Sequence, residues 1–317
     1  MFFLKELYSK TILANIIPHG TLRKEYYFRF GERRPSPAVV FSLDARYFEM
    51  GWADVLRGVL SAFAFAKAKR LPFYIDFKTP FILSDYLVPN KCDWRVYNNL
   101  ICSNLRYVTT LWLLDYDKGR VCLLPFPSNR QYHFFTNVDV IGIINKKYKK
   151  TYCSKDLYQE LFKPSPSLQK HIDVALSEIG GDYISVSFRF TTLLGDFHDC
   201  INQELPEAEK QTYINKCHQL LKNLHDKYPL MKILVTSDSQ KFIESIHDIG
   251  WTYSLSGKRS QFNNGSSDDS TLNTFLDFIL ISRAQRVYMA HTGLMYRSKF
   301  SQSAAMTTGV PFEEMAF

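Results

Sequence analysis

Three sets of polar residues, each placed just past a short apolar run, are the parts of this 317-residue chain whose types and spacing fit chemistry. Arg189 ends the alternating run Tyr183–Phe188, Ser237-Asp238-Ser239 ends Met231–Thr236, and His291-Thr292 ends Val287–Ala290. An arginine can grip a diphosphate through two charge-assisted hydrogen bonds. An aspartate can accept from base N–H groups or from a ribose hydroxyl. Further on, the small residues of Ser301–Ala305 begin a helix, with Ser298 or Ser301 as N-cap. A phosphorylated ligand above 291–301 would meet free backbone N–H groups and the positive end of a helix dipole. Each residue alone also has a structural role to fill: Arg189 in a surface pair, Asp238 as a helix cap, and the whole segment as a βα unit with no ligand. The coincidence of all three favours a nucleotide or nucleotide-sugar site.

The elements around these residues alternate. Leu168–Ile179 predicts a helix stopped by Gly180-Gly181, and Tyr183–Arg189 leans to strand. Pro206–Tyr228 reads as a long helix, Met231–Thr236 as a buried strand and Lys241–Ile249 as a helix. Leu272, Phe275, Leu276, Ile279 and Leu280 recur at helical spacing before the strand Val287–Ala290. Helices alternating with buried strands imply an α/β fold with a parallel sheet, in which ligands sit at the carboxyl ends of the strands. The N-terminal half carries the same grammar. Ala38–Ser42 is a strand candidate, Asp44–Met50 its exit loop, Gly51 and Asp54 open a helix closed by Lys67, Lys69 and Arg70, and Leu71–Phe77 is the next strand. Its single turn glycine falls short of the three-glycine dinucleotide fingerprint. Leu105–Leu114, Val121–Leu124 and Val138–Ile144 are further strand expectations, and 2–32 reads as a helix followed by a polar connection. Asn145–Ser167, with its lysines, Pro164 and Pro166, reads as the boundary between an N-terminal domain over 1–150 and a C-terminal domain over 165–317.

Composition narrows the class without naming a partner. Hydrophobic residues make up 46% and charged residues 22%, which is ordinary for a globular protein. The net charge of +8 fits a phosphate-bearing partner or an anionic surface. Basic residues are scattered apart from Lys146, Lys147, Lys149 and Lys150, which read as a solvated face, and no basic-aromatic cluster supports nucleic-acid binding. The six cysteines show no zinc spacing and read as reduced thiols, which with the absence of a visible signal peptide suggests a cytoplasmic protein. No run reaches the ~18 apolar residues of a membrane span. Phe3, Leu4, Leu7 and Tyr8 share one helix face, read first as a domain helix and second as a peripheral contact with the inner face of a membrane.

The motifs together resemble the fucosyltransferase superfamily that includes the α1,2-, α1,6- and protein-O-fucosyltransferases. Its strand ending in H-x-R corresponds to Ser187-Phe188-Arg189, with the Arg kept and the His replaced by Ser. Its strand ending in (A/T)-(T/S)-D matches Val235-Thr236-Ser237-Asp238. Its D-x-x-x-L-(S/A)-x-A helix, followed by a strand and a Ser/Thr-rich turn, matches Asp277, Ile281, Ser282 and Ala284, then Val287–Ala290, with Thr292, Ser298 and Ser301 in the turn. Gly51-Trp52-Ala53-Asp54-Val55-Leu56 resembles its G-x-G-N-x-L helix start, with Ala53 and Asp54 in place of the second Gly and the Asn. The resemblance implies a GT-B architecture, two Rossmann-like domains facing across a cleft. It implies GDP-fucose as donor, guanine recognition around Asp238 and Asp277, phosphate contacts at Arg189, Ser298 or Ser301, and no required metal or other cofactor.

On that footing the expected reaction is an inverting transfer of fucose to a glycan or glycolipid hydroxyl. Arg189 and helix N-termini would stabilise the leaving diphosphate, and Asp44, Glu49 or Asp54 would serve as base. The donor-side set is Gly51, Ser187, Arg189, Asp238, Asp277, His291, Thr292, Ser298 and Ser301. Two alternatives stand: a GT-B transferase using another nucleotide sugar, and a non-catalytic carbohydrate- or nucleotide-binding protein on a degenerate transferase fold, which Ser187 supports.

Overall fold

The computed structural model describes residues 24–44, 50–97, 100–113, 126–197, 203–257 and 268–317. The described residues divide into two compact units, the first running to Lys163 and the second from Pro164 onward.

In the first unit β1 (Ala38–Leu43), β2 (Phe73–Phe77), β4 (Val108–Leu113) and β5 (Gln131–Thr136) form a parallel sheet in the order β2-β1-β5-β4. Helix α1 (Trp52–Lys69) links β1 to β2. Its alanines favour helix, and Arg70, left-handed at φ 56°, ends it by donating to Ala66 and Lys67. The helix lies very close to the sheet. A Cβ at Gly58 would fall on the Thr136 carbonyl and the Phe41 ring, so a hydrogen is all that fits there. Val39, Phe41, Phe134 and Phe65 are fully buried around this contact, and the Phe65 and Phe134 rings lie 5.2 Å apart.

Short elements complete this unit: α2 (Leu83–Tyr86), β3 (Leu87–Pro89), α3 (Ile141–Tyr148), α4 (Ser154–Leu161) and β6 (Phe162–Pro164), with β3 and β6 paired. One strand expectation fails here. Val138–Ile144 is not a strand: its second half is the first turn of α3, with Ser61 Oγ donating to the Val138 carbonyl and accepting from the Val140 amide. A short apolar run cannot by itself distinguish a strand from a buried helical turn. The two units divide between Lys163 and Pro164, inside the expected boundary Asn145–Ser167. Helix α4 packs on α1, Glu160 pairing with Lys67 and the Leu161 carbonyl accepting from Trp94 Nε1 at 2.9 Å. The first unit therefore extends past residue 150. The expected Leu105–Leu114 strand begins only at Val108, β5 was not foreseen, and Val121–Leu124, the N-terminal helix face at Phe3–Tyr8 and Glu49 lie outside the described residues.

In the second unit β7 (Tyr183–Phe188), β8 (Lys232–Ser237), β9 (Thr252–Tyr253), β10 (Val287–His291) and β11 (Phe312–Ala316) form a parallel sheet in the order β11-β10-β7-β8-β9. The helices are α5 (Pro166–Ile179), α6 (Glu207–Lys227), α7 (Gln240–Ser245), α8 (Asp268–Arg283) and α9 (Phe300–Thr308). Ser165 caps α5, its side chain accepting from Leu168, and Gly180 closes it at φ 76°. Side chains alternate across β7. Ile184, Val186 and Phe188 join the apolar cluster with Leu220, Leu221, Leu224 and Phe242, while Ser185 and Ser187 point to the other face. From β7 the order runs to β8 and β9 on one side and to β10 and β11 on the other, so the topological switch point lies between β7 and β10. Among the described residues no helix is long and apolar enough to cross a membrane.

Candidate functional site

The register of the second sheet brings Arg189, Asp238 and His291 to one edge. Phe188 pairs with Ser237 and Ala290 with Phe188, so the residues that follow leave the sheet side by side at the carboxyl ends of β7, β8 and β10. This is where an open parallel sheet binds ligands.

Asp238 is the most constrained of them. Its side chain is 1% exposed and lies 3.3 Å from Nε of Arg189. Its two oxygens also accept from the amides of Phe190 (2.9 Å) and Thr191 (2.7 Å). Burial pushes the carboxyl up, and Arg189 and the two amides pull it back only in part. Both carboxylate oxygens thus bond within the protein, and Asp238 positions the chain leaving β7. Thr191 sits there at φ 55°, a left-handed conformation costly for a β-branched residue, and its hydroxyl donates to the Phe190 carbonyl. The Arg189 guanidinium lies over the Phe197 ring, 4.6 Å from its centre. With its side chain 27% exposed, Arg189 reaches solvent at the sheet edge.

Ser187 stands one row below. Its hydroxyl shares a 2.8 Å hydrogen bond with Thr236, so Ser187 ties two strands together. Ser239 rather than Asp238 caps α7, its Oγ accepting from Phe242.

The turn between β10 and α9 is held from three directions. The Tyr296 amide donates to the Arg189 carbonyl at 2.9 Å. The Tyr213 hydroxyl of α6 accepts from the Leu294 amide at 3.0 Å. Gly293 adopts φ 52° beneath that tyrosine, where a Cβ would collide with its hydroxyl. Ser298 Oγ accepts from Phe300 at the helix start, though Lys299 holds the N-cap position without a side-chain bond. Ser301, on the first turn of α9, is fully buried and its hydroxyl has no hydrogen-bond partner. A buried orphan of this kind calls for an explanation, and here it sits where a helix N-terminus favours an anion.

His291 is buried, and its Nε2 lies 3.2 Å from Glu314 Oε1. The same oxygen is 3.4 Å from Arg297. Glu314 belongs to β11, which the sequence reading did not foresee, so this link between the β10 end and the following turn was missed; the only signal was a carboxylate in the alternating tail. Thr292 is buried at the strand exit.

The remaining candidates lie elsewhere. Asp277 is buried midway along α8, where its charge contributes, after burial and the Glu178 hydrogen bond, to raising Tyr253 of edge strand β9. In the first unit Gly51 holds the N-cap position of α1, its carbonyl accepting from Asp54 and Val55. Asp54 is on the first turn and pairs with Arg57. Asp44 is buried at the end of β1 and accepts from Thr79 at 3.2 Å. Among the described residues no group of three or more His, Cys, Asp or Glu is placed to hold a metal ion. Asp268 and Asp269 form the acidic first turn of α8, which suits the helix dipole.

These two parallel-sheet units define an α/β protein of the GT-B class. The NodZ α-1,6-fucosyltransferase co-crystallised with GDP matches with a TM-score of 0.54 at 11% identity, over 88% of this chain and 95% of that one. A variant of Arabidopsis thaliana FUT1 in complex with GDP matches with a TM-score of 0.54 at 12% identity, over 99% of this chain and 74% of that one. POFUT1 in complex with GDP matches with a TM-score of 0.50 at 11% identity, over 89% of this chain and 99% of that one. No family sequence profile matches the chain, and no curated protein matches it by sequence.

Proposed function

We propose that the protein is a glycosyltransferase that takes fucose from GDP-fucose and delivers it to a glycan or glycolipid hydroxyl. The observation that carries this reading is the carboxyl edge of the second sheet, where Arg189 emerges beside the α9 N-terminus and the orphaned Ser301 hydroxyl. Leaving-group departure puts negative charge on the diphosphate, and these groups can stabilise it without a cation. Arg189 and Ser301 would face the phosphates together with Ser298, Thr292 and His291, while Asp238 positions Arg189. Asp277 stays a candidate on the nucleoside side, and Ser187 acts between strands. Similarity to fucosyltransferase structures solved with GDP or GDP-fucose supports the donor. Inversion, metal independence, a base among Asp44, Glu49 and Asp54, and a cytoplasmic place near a membrane face belong to the same proposal.

Thermal shift against GDP, UDP, CMP and ADP, with and without EDTA, tests it. A nucleotide at ~100 times its dissociation constant adds about 2.7 kcal/mol of stability. Stabilisation by GDP alone, indifferent to EDTA, is the expected result. Selective stabilisation by UDP or CMP keeps the fold and replaces the donor, and no response to any nucleotide sinks the proposal.

A further inference from the structure

Residues 27–34 of the first unit read Tyr-Phe-Arg-Phe-Gly-Glu-Arg-Arg and are laced to the stretch 103–107. The Tyr27 amide donates to the Ser103 carbonyl, and the Tyr27 carbonyl accepts from the Leu105 amide. Asn104 is fully buried; it accepts from the amides of Arg29 and Arg106 and donates to the Arg29 carbonyl and to Glu32. Those bonds satisfy every donor and acceptor of its amide, and a buried group so satisfied rigidifies what it joins. The Tyr107 hydroxyl adds a bond to the Glu32 carbonyl. What this bracing holds out into solvent is apolar. Phe28 is 63% exposed, Phe30 71% and Tyr27 47%. Exposed rings scattered singly need no explanation, but three within four residues of a braced segment do.

Cations surround the rings. The Arg106 guanidinium lies 4.4 Å from the centre of the Phe30 ring. Arg130 donates to the carbonyls of Leu105, Arg106 and Val108, and Arg34 to that of Asn129. Arg29 lies 3.8 Å from Glu32, whereas among the described residues Arg33, Arg34, Arg106 and Arg130 form no ion pair. The preceding Glu25 pairs with Lys78 at 3.3 Å. The surface is therefore both apolar and strongly positive, and that combination selects its occupant. A second copy of this chain would bring like charge to like charge. A run of stacked bases needs accessible ring faces in series, but Phe28 and Phe30 meet edge to face, 5.3 Å apart at 74°, and Arg106 covers one face of Phe30. An anionic bilayer satisfies both halves, taking rings into the boundary between headgroups and acyl chains while arginines hold the phosphates.

We propose that segment 27–34, with Arg106 and Arg130, is a docking surface for an anionic lipid bilayer, Phe28 and Phe30 inserting and the arginines binding headgroup phosphates. The surface deepens the proposed place near a membrane face and rests on that part of the reading, not on the donor.

Cosedimentation of the full-length protein with unilamellar vesicles tests it, phosphatidylcholine alone against phosphatidylcholine mixed with phosphatidylglycerol. The wild type should bind the mixed vesicles roughly tenfold or more tightly than the neutral ones, and high salt should abolish the difference. Phe28→Ser combined with Phe30→Ser should weaken binding to the mixed vesicles roughly tenfold or more. Arg33→Ala combined with Arg106→Ala should do the same and provides the test should the ring variant fail to fold. GDP affinity should be unchanged in both. Failure of the wild type to bind mixed vesicles overturns the surface and the membrane location together. Undiminished binding in both folded variants overturns the surface and leaves the location to another part of the chain. Tighter binding of a single-stranded oligonucleotide than of vesicles, lost in the ring variant, overturns the choice of lipid.

Discussion

Arg189 and Asp238 face each other across the ends of adjacent strands, Nε 3.3 Å from Oδ2, and the two are unequally placed: the arginine is 27% exposed and the aspartate 1%. One partner anchors the edge of the sheet and the other reaches out of it. Removing Asp238 strands Arg189 and two backbone amides. Asp238→Ala should therefore cost about 3 kcal/mol or more of stability, measured by chemical denaturation. A loss below about 1 kcal/mol would show that the anchor is unimportant. Arg189→Ala leaves the amides paired and should fold, while donor turnover falls roughly tenfold to several-thousandfold with one or two charge-assisted bonds of ~1.5–3 kcal/mol each. Wild-type turnover in that variant contradicts its role.

Ser301 separates a ligand role from a structural one. Its hydroxyl is buried without a partner, so Ser301→Ala should leave stability unchanged or slightly higher. Loss of a bond to phosphate should nonetheless weaken GDP several-fold, as read by calorimetric titration. Equal affinity in both proteins removes Ser301 from the site.

Gly293 makes the turn after β10 possible. Gly293→Ala should cost about 1–2 kcal/mol from the left-handed backbone alone and push Tyr213 off the Leu294 amide. Tyr213→Phe removes only that bond and should cost about 1 kcal/mol. The double variant should recover none of the loss from backbone strain. Denaturation of the three proteins tests this, and an unaltered Gly293→Ala protein refutes it.

His133 and Asp76 give the first unit opposite pH limbs. Burial, with help from Lys78, holds the His133 imidazole down to about 3. Below an unfolded value near 6.5 only the unfolded chain takes that proton, so stability falls as pH drops from about 6.5 towards 3, on the order of 1 kcal/mol per pH unit. Burial raises the Asp76 carboxyl, Lys78 opposing and Glu25 and Asp44 adding. The folded protein then holds the proton longer than the unfolded chain, and stability falls as pH rises from about 4 through the raised value. Denaturation between pH 4 and 8 should show His133→Gln without the acid limb and Asp76→Asn more stable than wild type above its window. An acid limb that survives in His133→Gln rejects the assignment.

The sequence by itself determined the alternation of buried strands and helices, because hydrophobic period and glycine stops are local properties. Tyr183–Phe188, Lys232–Ser237 and Val287–His291 lie within a residue or two of where their apolar runs place them. It also determined that Arg189 and Asp238 follow strands and that His291 stands at the end of one, and parallel pairing then makes a common edge. Tertiary structure alone decided what each does there. Asp238 looked like a ligand acceptor or a helix cap, yet its carboxylate is engaged by the neighbouring strand end, a pairing set by register between residues 48 and 47 positions apart. Ser187 looked like a degraded motif and is a rung to Thr236. Glu314 offered only a carboxylate in the alternating tail, since a carboxylate on an edge strand shows its partner only once β11 lies beside β10. A polar row of the first unit was hidden for the same reason. Ser42, Asp76 and His133 sit in three separate segments, and only the stacking of β2, β1 and β5 puts them on one face of one sheet.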